Sequence, residues 1–132
     1  MHIRSMDSVM EMKGPRAERT FRLSLVPVCV SGDVERIDGR EMFRRGRKDT
    51  SVITLPWLLT SMFIGNTCAM PQEWSSESGM TIIIPTVAFT DSDGMEYVQG
   101  MKSDGPNSWD WRWVFFPLDD TFGAECYFLK VV

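Results

Sequence analysis

The sequence predicts a mainly β protein, a single domain built as an antiparallel sandwich or barrel with bent strands and at most one or two short helices. Three observations predict it. Apolar and polar residues alternate in several short runs, as on half-buried strands. Each of the four main apolar runs carries a proline, in Val26-Pro27, Leu55-Pro56, Ile84-Pro85 and Phe116-Pro117. Proline is poorly tolerated inside helices and central strands, so these sites mark bends, bulges or edges rather than a helical bundle. Turn signals separate the runs at Ser31-Gly32-Asp33, Asp38-Gly39 and Asp91-Ser92-Asp93-Gly94.

Residues 1–14 read as an arm. Met6, Val9, Met10 and Lys13 share one face at helical spacing, and Gly14-Pro15 ends the segment. Residues 15–132 form the β domain. Thr20 to Val30 is the first strand signal: Phe21, Leu23 and Leu25 alternate with Arg22 and Ser24, and the apolar parity then switches to Val26, Val28 and Val30 around Pro27. Val34 to Ile37 reads as a short strand, and Arg40 to Lys48 as a surface loop or helical turn. Ser51 to Ile64 is long enough for two strands, or for a strand and a helical turn. Gly65 to Gly79 is polar and loop-like. Met80–Thr90 and Met95–Lys102, joined across Asp93-Gly94, form the best hairpin. Trp109 to Leu118 and Ala124 to Val132 complete the strands.

Composition narrows the function classes. The chain has 132 residues, 43% apolar and 24% charged, the proportions of one folded domain. Net charge is -4, unevenly placed. Residues 1–66 carry 11 Lys and Arg against 8 Asp and Glu, while residues 67–132 carry 3 against 10. This balance argues against a nucleic-acid partner and fits head-to-tail association of copies, unless the two halves intermix in space. No run reaches the ~18 apolar residues of a membrane span, and the polar N-terminal stretch lacks the apolar core of a signal peptide. A cytoplasmic protein, or one built into a particle in the cytoplasm, is expected. Cys29, Cys68 and Cys126 are an odd, widely spaced set and read as free thiols, with an intermolecular bridge as the alternative.

Catalytic and metal motifs are missing. His2 is the only histidine, and no cluster has zinc-ligand spacing. Asp91-Ser92-Asp93-Gly94 starts like a calcium loop, but Glu96 stands where that loop needs glycine and Lys102 where it needs an acid. No glycine-rich phosphate motif occurs. No catalytic residue, metal ligand or cofactor is therefore expected. Asp110, Asp119, Asp120 and Glu125, or Cys68, would have to serve a small enzyme, the least supported alternative.

Two surfaces stand out instead. Arg40, Arg44, Arg45, Arg47 and Lys48, with Phe43 among them, form a basic cluster suited to an acidic partner, or merely a solvated face. Trp74, in a serine-rich loop, is expected to be an exposed anchor. Trp109, Trp111 and Trp113 share one face of a strand. Turned outward they make a ligand platform for sugars or other rings; turned inward they are core, which the alternation with Asp110 and Arg112 favours. The leading expectation is a non-catalytic assembly or binding protein whose partners are proteins, either copies of itself or a larger assembly. A virion decoration, neck or tail component is of this kind, and so is an inhibitor of a host factor. A carbohydrate- or small-ligand-binding module is the alternative.

Overall fold

A computed structural model describes residues 9–13, 20–30, 32–33, 35–55, 74, 79–104 and 111–132. Its elements in chain order are β1 (Val9–Lys13), β2 (Thr20–Pro27), β3 (Arg36–Asp38), α1 (Gly39–Lys48), β4 (Thr81–Thr90), β5 (Glu96–Ser103), β6 (Trp111–Pro117), β7 (Thr121–Gly123) and β8 (Cys126–Val131). The mainly β class is as the sequence predicts. One sheet has the order β1-β2-β8-β4-β5-β6, and β3 pairs with β7 in a separate ribbon.

The sheet departs from expectation in being mixed. β4 runs parallel to β8 over Thr81↔Cys126, Ile82↔Tyr127 and Ile83↔Phe128, while the other neighbours are antiparallel. Among the described residues it does not close into a barrel. The arm also differs. Val9–Lys13 is an edge strand antiparallel to β2, not a helix turn; Met6 lies outside the described residues.

Both faces of the central strands are buried, which explains their nearly continuous apolar runs. Leu23, Leu25, Ile82, Ile84, Met101, Tyr127 and Leu129 face one core cluster, with Trp74 packed among them. Ile83, Val98, Cys126 and Phe128 face the other, under α1 and the β3–β7 ribbon. Each such large aliphatic side chain contributes about 1.5–3 kcal/mol on burial. The parity change in β2 follows from this layering. Leu23 and Leu25 meet the first cluster, and Val26 and Val28 meet the second where the helix covers that face.

The prolines lie where a missing donor costs least. Pro27 and Pro117 end their strands. Pro85 follows the last residue pair between β4 and β8, inside a stretch where the β4–β5 register shifts twice between Ile84 and Phe89. Pro56 lies outside the described residues.

Of the two alternatives for the basic segment, loop or helical turn, the helical one holds, extended to ten residues. Asp38 caps it by accepting from the Glu41 N–H at 2.8 Å. Glu41 in the first turn and Arg45, Arg47 and Lys48 in the last complement the helix dipole. Gly39, Met42 and Gly46 make its buried stripe. At Gly46 a Cβ would come within 2.5 Å of the Pro85 ring and 2.9 Å of Phe128, so only glycine lets the helix lie this close to the sheet.

Candidate functional site

The basic residues do not act as one patch. Arg45 is tied inside the chain. Its guanidinium donates to both Asp33 oxygens at 2.7 and 2.8 Å, to Glu41 at 3.0 Å and to the Val28 carbonyl at 3.1 Å. Arg44 makes two bonds to Glu41 through Nε and Nη2. Arg40 pairs with Glu96 on β5 at 3.0 Å. Arg47 reaches the Thr86 hydroxyl at 3.3 Å and sits 5.8 Å from the ring centre of Phe43, which itself packs against the second core cluster. Among the described residues, Lys48 alone of the set has no ion-pair or hydrogen-bond partner.

The guanidiniums dominate the local electrostatics. The Arg45 bond holds the Asp33 carboxyl at about 2, below its ordinary 3.8. Bonds from Arg44 and Arg45 hold Glu41 at about 2, below 4.5. In return the two carboxylates raise Arg45 above its usual value. Asp33, Glu41, Arg44 and Arg45 therefore stay charged across the physiological range.

A cleft of about 600 Å³ opens beside this helix. Val26, Pro27, Val28, Val52 and Phe128 line it together with Val30, and Arg44, Arg45, Lys48 and Asp49 rim it. Asp49 is already engaged: its Oδ1 accepts from the Ser51 N–H and hydroxyl, and Lys130 stands 3.8 Å from its Oδ2.

The expected aromatic surfaces need two corrections. Trp74 is fully buried in the first core cluster, so it is not an exposed anchor. Its ring carries more apolar area than its polar neighbours can oppose, and burial wins. Trp111 is 8% exposed and belongs to the same cluster, with Trp113 half-buried against it. These two are core, the inward alternative. Trp109, Asp110 and Cys68 lie outside the described residues.

The exposed aromatics are elsewhere, and the stripe reaches them through Phe115. Phe115 is 48% exposed and Phe89 42%. Their rings meet edge to face at 5.1 Å, and Phe89 stacks on Tyr97 at 4.6 Å. The hairpin places them: Phe89 pairs with Tyr97 across β4–β5, and Gln99 next to it pairs with Phe115 on β6. The turn is set by Asp91, whose Oδ1 accepts from the N–H groups of Asp93 and Met95 at 2.9 and 3.0 Å. Its Oδ2 accepts from the Tyr97 hydroxyl at 3.1 Å. Gly94, at φ 84°, supplies the left-handed step. Phe89 and Tyr97 were not singled out from sequence. Hairpin register across Asp91–Gly94 was the signal that would have paired them.

Asp120 and Glu125 do structural work. Asp120 Oδ1 accepts from the Thr121 N–H at 2.8 Å, and Glu125 pairs with Arg36 at 3.0 Å. Cys126 is buried, and loss of solvation pushes its thiol up to about 12. No group of three or more metal-ligating side chains comes together among the described residues. None of the described helices is long and apolar enough to cross a membrane. In comparisons with known proteins, no family model, curated protein or solved structure matches this chain.

Proposed function

We propose that this chain is a non-catalytic assembly protein that binds copies of itself, or a larger assembly, through the aromatic corner of its sheet. The observation that carries this reading is the contiguous trio Phe89, Tyr97 and Phe115, with two phenylalanines more than two-fifths exposed. A clustered, rigid aromatic patch on a small chain is the composition of an interface centre. An aromatic side chain can bury on the order of 150–250 Å² in all; the part of Phe89 and Phe115 still exposed, a little under half of each, is what an interface would remove from water, and at roughly 25 cal/mol per Å² that favours association. The corner spans β4, β5 and the outer strand β6, which among the described residues has a strand neighbour on one side only. Two copies related by a two-fold axis would place the patch on itself, the simplest self-complementary arrangement. A virion component or an inhibitor of a host factor is the kind of protein this describes.

Mass photometry and sedimentation over a range of concentrations test the proposal. The wild-type chain is expected to form dimers or larger species, and Phe89→Ser/Phe115→Ser to shift to monomers with an unchanged circular dichroism spectrum. A wild-type chain that stays monomeric to high micromolar concentration would refute binding to copies of itself. The stacked Phe89 and Tyr97 rings with Phe115 beside them also support a second reading, a sugar-binding corner. Titration with a glycan panel, read by intrinsic tryptophan fluorescence, separates that reading from self-association.

A further inference from the structure

We propose that the cleft beside the C-terminal half of α1 is a second binding site, which takes an acidic peptide segment of a partner protein anchored by an apolar side chain. The walls state the chemistry. The floor is Val26, Pro27, Val28, Val52 and Phe128, and at the mouth Val30 is 53% exposed. A volume of about 600 Å³ holds a few side chains, within the ordinary range of ligand sites.

The rim selects charge. Asp33 and Glu41 are consumed by Arg44 and Arg45, and Asp49 by Ser51 and Lys130. The cations are not consumed to the same degree. Arg45 spends its Nε, Nη1 and Nη2 on chain groups and acts as a fixed strut. Arg44 uses Nε and Nη2 on Glu41, which leaves Nη1 to donate, and its side chain is 59% exposed. Lys48 adds three donors one helical turn further on, without a partner among the described residues. Two available cations over an apolar floor complement carboxylates that flank a Leu, Ile, Val or Phe side chain. Glu41 holds the Arg44 guanidinium in place before binding, which lowers the ordering cost. A nucleic-acid strand fits less well: the ring that lines the cleft, Phe128, is a buried core side chain with no open face for a base to stack on, and the chain carries a net charge of -4.

The experiment is a selection of random ten-residue displayed peptides on the full chain, followed by fluorescence anisotropy of an enriched peptide. Enriched sequences should carry Asp or Glu around one apolar residue. Their affinity should fall at least tenfold in Arg44→Gln/Lys48→Glu, fall with added salt, and recover in Arg44→Lys paired with native Lys48. Val30→Asp, a surface change at the cleft mouth, should weaken binding while leaving the thermal midpoint in place. No enrichment, enrichment of basic or uncharged peptides, or affinity indifferent to these variants would each overturn the proposal. So would a single-stranded oligonucleotide that binds through the same two cations while acidic peptides do not. Phe89→Ser/Phe115→Ser should leave peptide affinity unchanged, so this site and the aromatic corner fail or stand separately.

Discussion

Two regions of the molecule, one around helix α1 and one on the opposite face of the sheet, are built on opposite principles. Around Arg45, charged side chains that look like a binding surface in the sequence are mostly used up within the chain: Asp33, Glu41 and the Val28 carbonyl take what the guanidinium has to give. At the Phe89–Tyr97–Phe115 corner, side chains that belong in a core stay in water. Residue type alone would assign these roles the other way round. Charge is exposed for function only where the fold leaves it unpartnered, and apolar area only where the fold runs out of cover.

Substitutions can break this comparison at each point. The largest effect is expected from Trp74→Ala, which empties a fully buried site and should cost about 3–5 kcal/mol in urea unfolding. A loss near zero would return Trp74 to the surface. Gly46→Ala should cost about 1–3 kcal/mol through overpacking against Pro85 and Phe128, more than the ~1 kcal/mol of helix propensity it gains. Asp38→Ala should cost about 1 kcal/mol by removing the helix cap.

The acid limb sharpens the charged side. Asp33 and Glu41 have folded values of about 2, below their ordinary 3.8 and 4.5. Groups lowered in the folded state add stability that is complete above the ordinary value and vanishes as pH falls toward the folded one. Urea midpoints should therefore drop between about pH 4.5 and pH 2, and Arg45→Met should flatten that drop. An identical acid profile in the variant would mean the pairs contribute nothing. The smallest effect belongs to the corner: Phe115→Ser should change monomer stability by under about 0.5 kcal/mol, as expected of a surface side chain.

Most of the strand pattern was legible in the sequence, because alternation and turn chemistry are local. The hairpin limits Thr81–Thr90 and Glu96–Ser103 fall close to the expected Met80–Thr90 and Met95–Lys102. Helix α1 was legible only as a surface loop or helical turn, because Gly39 and Gly46 dilute its apolar stripe, although Asp38 and Glu41 stand at the spacing of a capping box. The parallel β4–β8 contact and the burial of Trp74 join residues distant in sequence, and no local pattern reports them. The basic cluster was legible as composition; which of its cations stay available depends on Asp33 and Glu96, supplied by other elements.

β8 lies between β2 and β4 and, among the described residues, is the strand that joins β1–β2 to β4–β5–β6. It holds one neighbour through five residue pairs and the other through three. The sheet is thus two sub-assemblies fastened by a six-residue zip with unequal sides. Under force or denaturant the shorter, parallel side should part first, releasing the β4–β5–β6 half with its aromatic corner still paired as a meander.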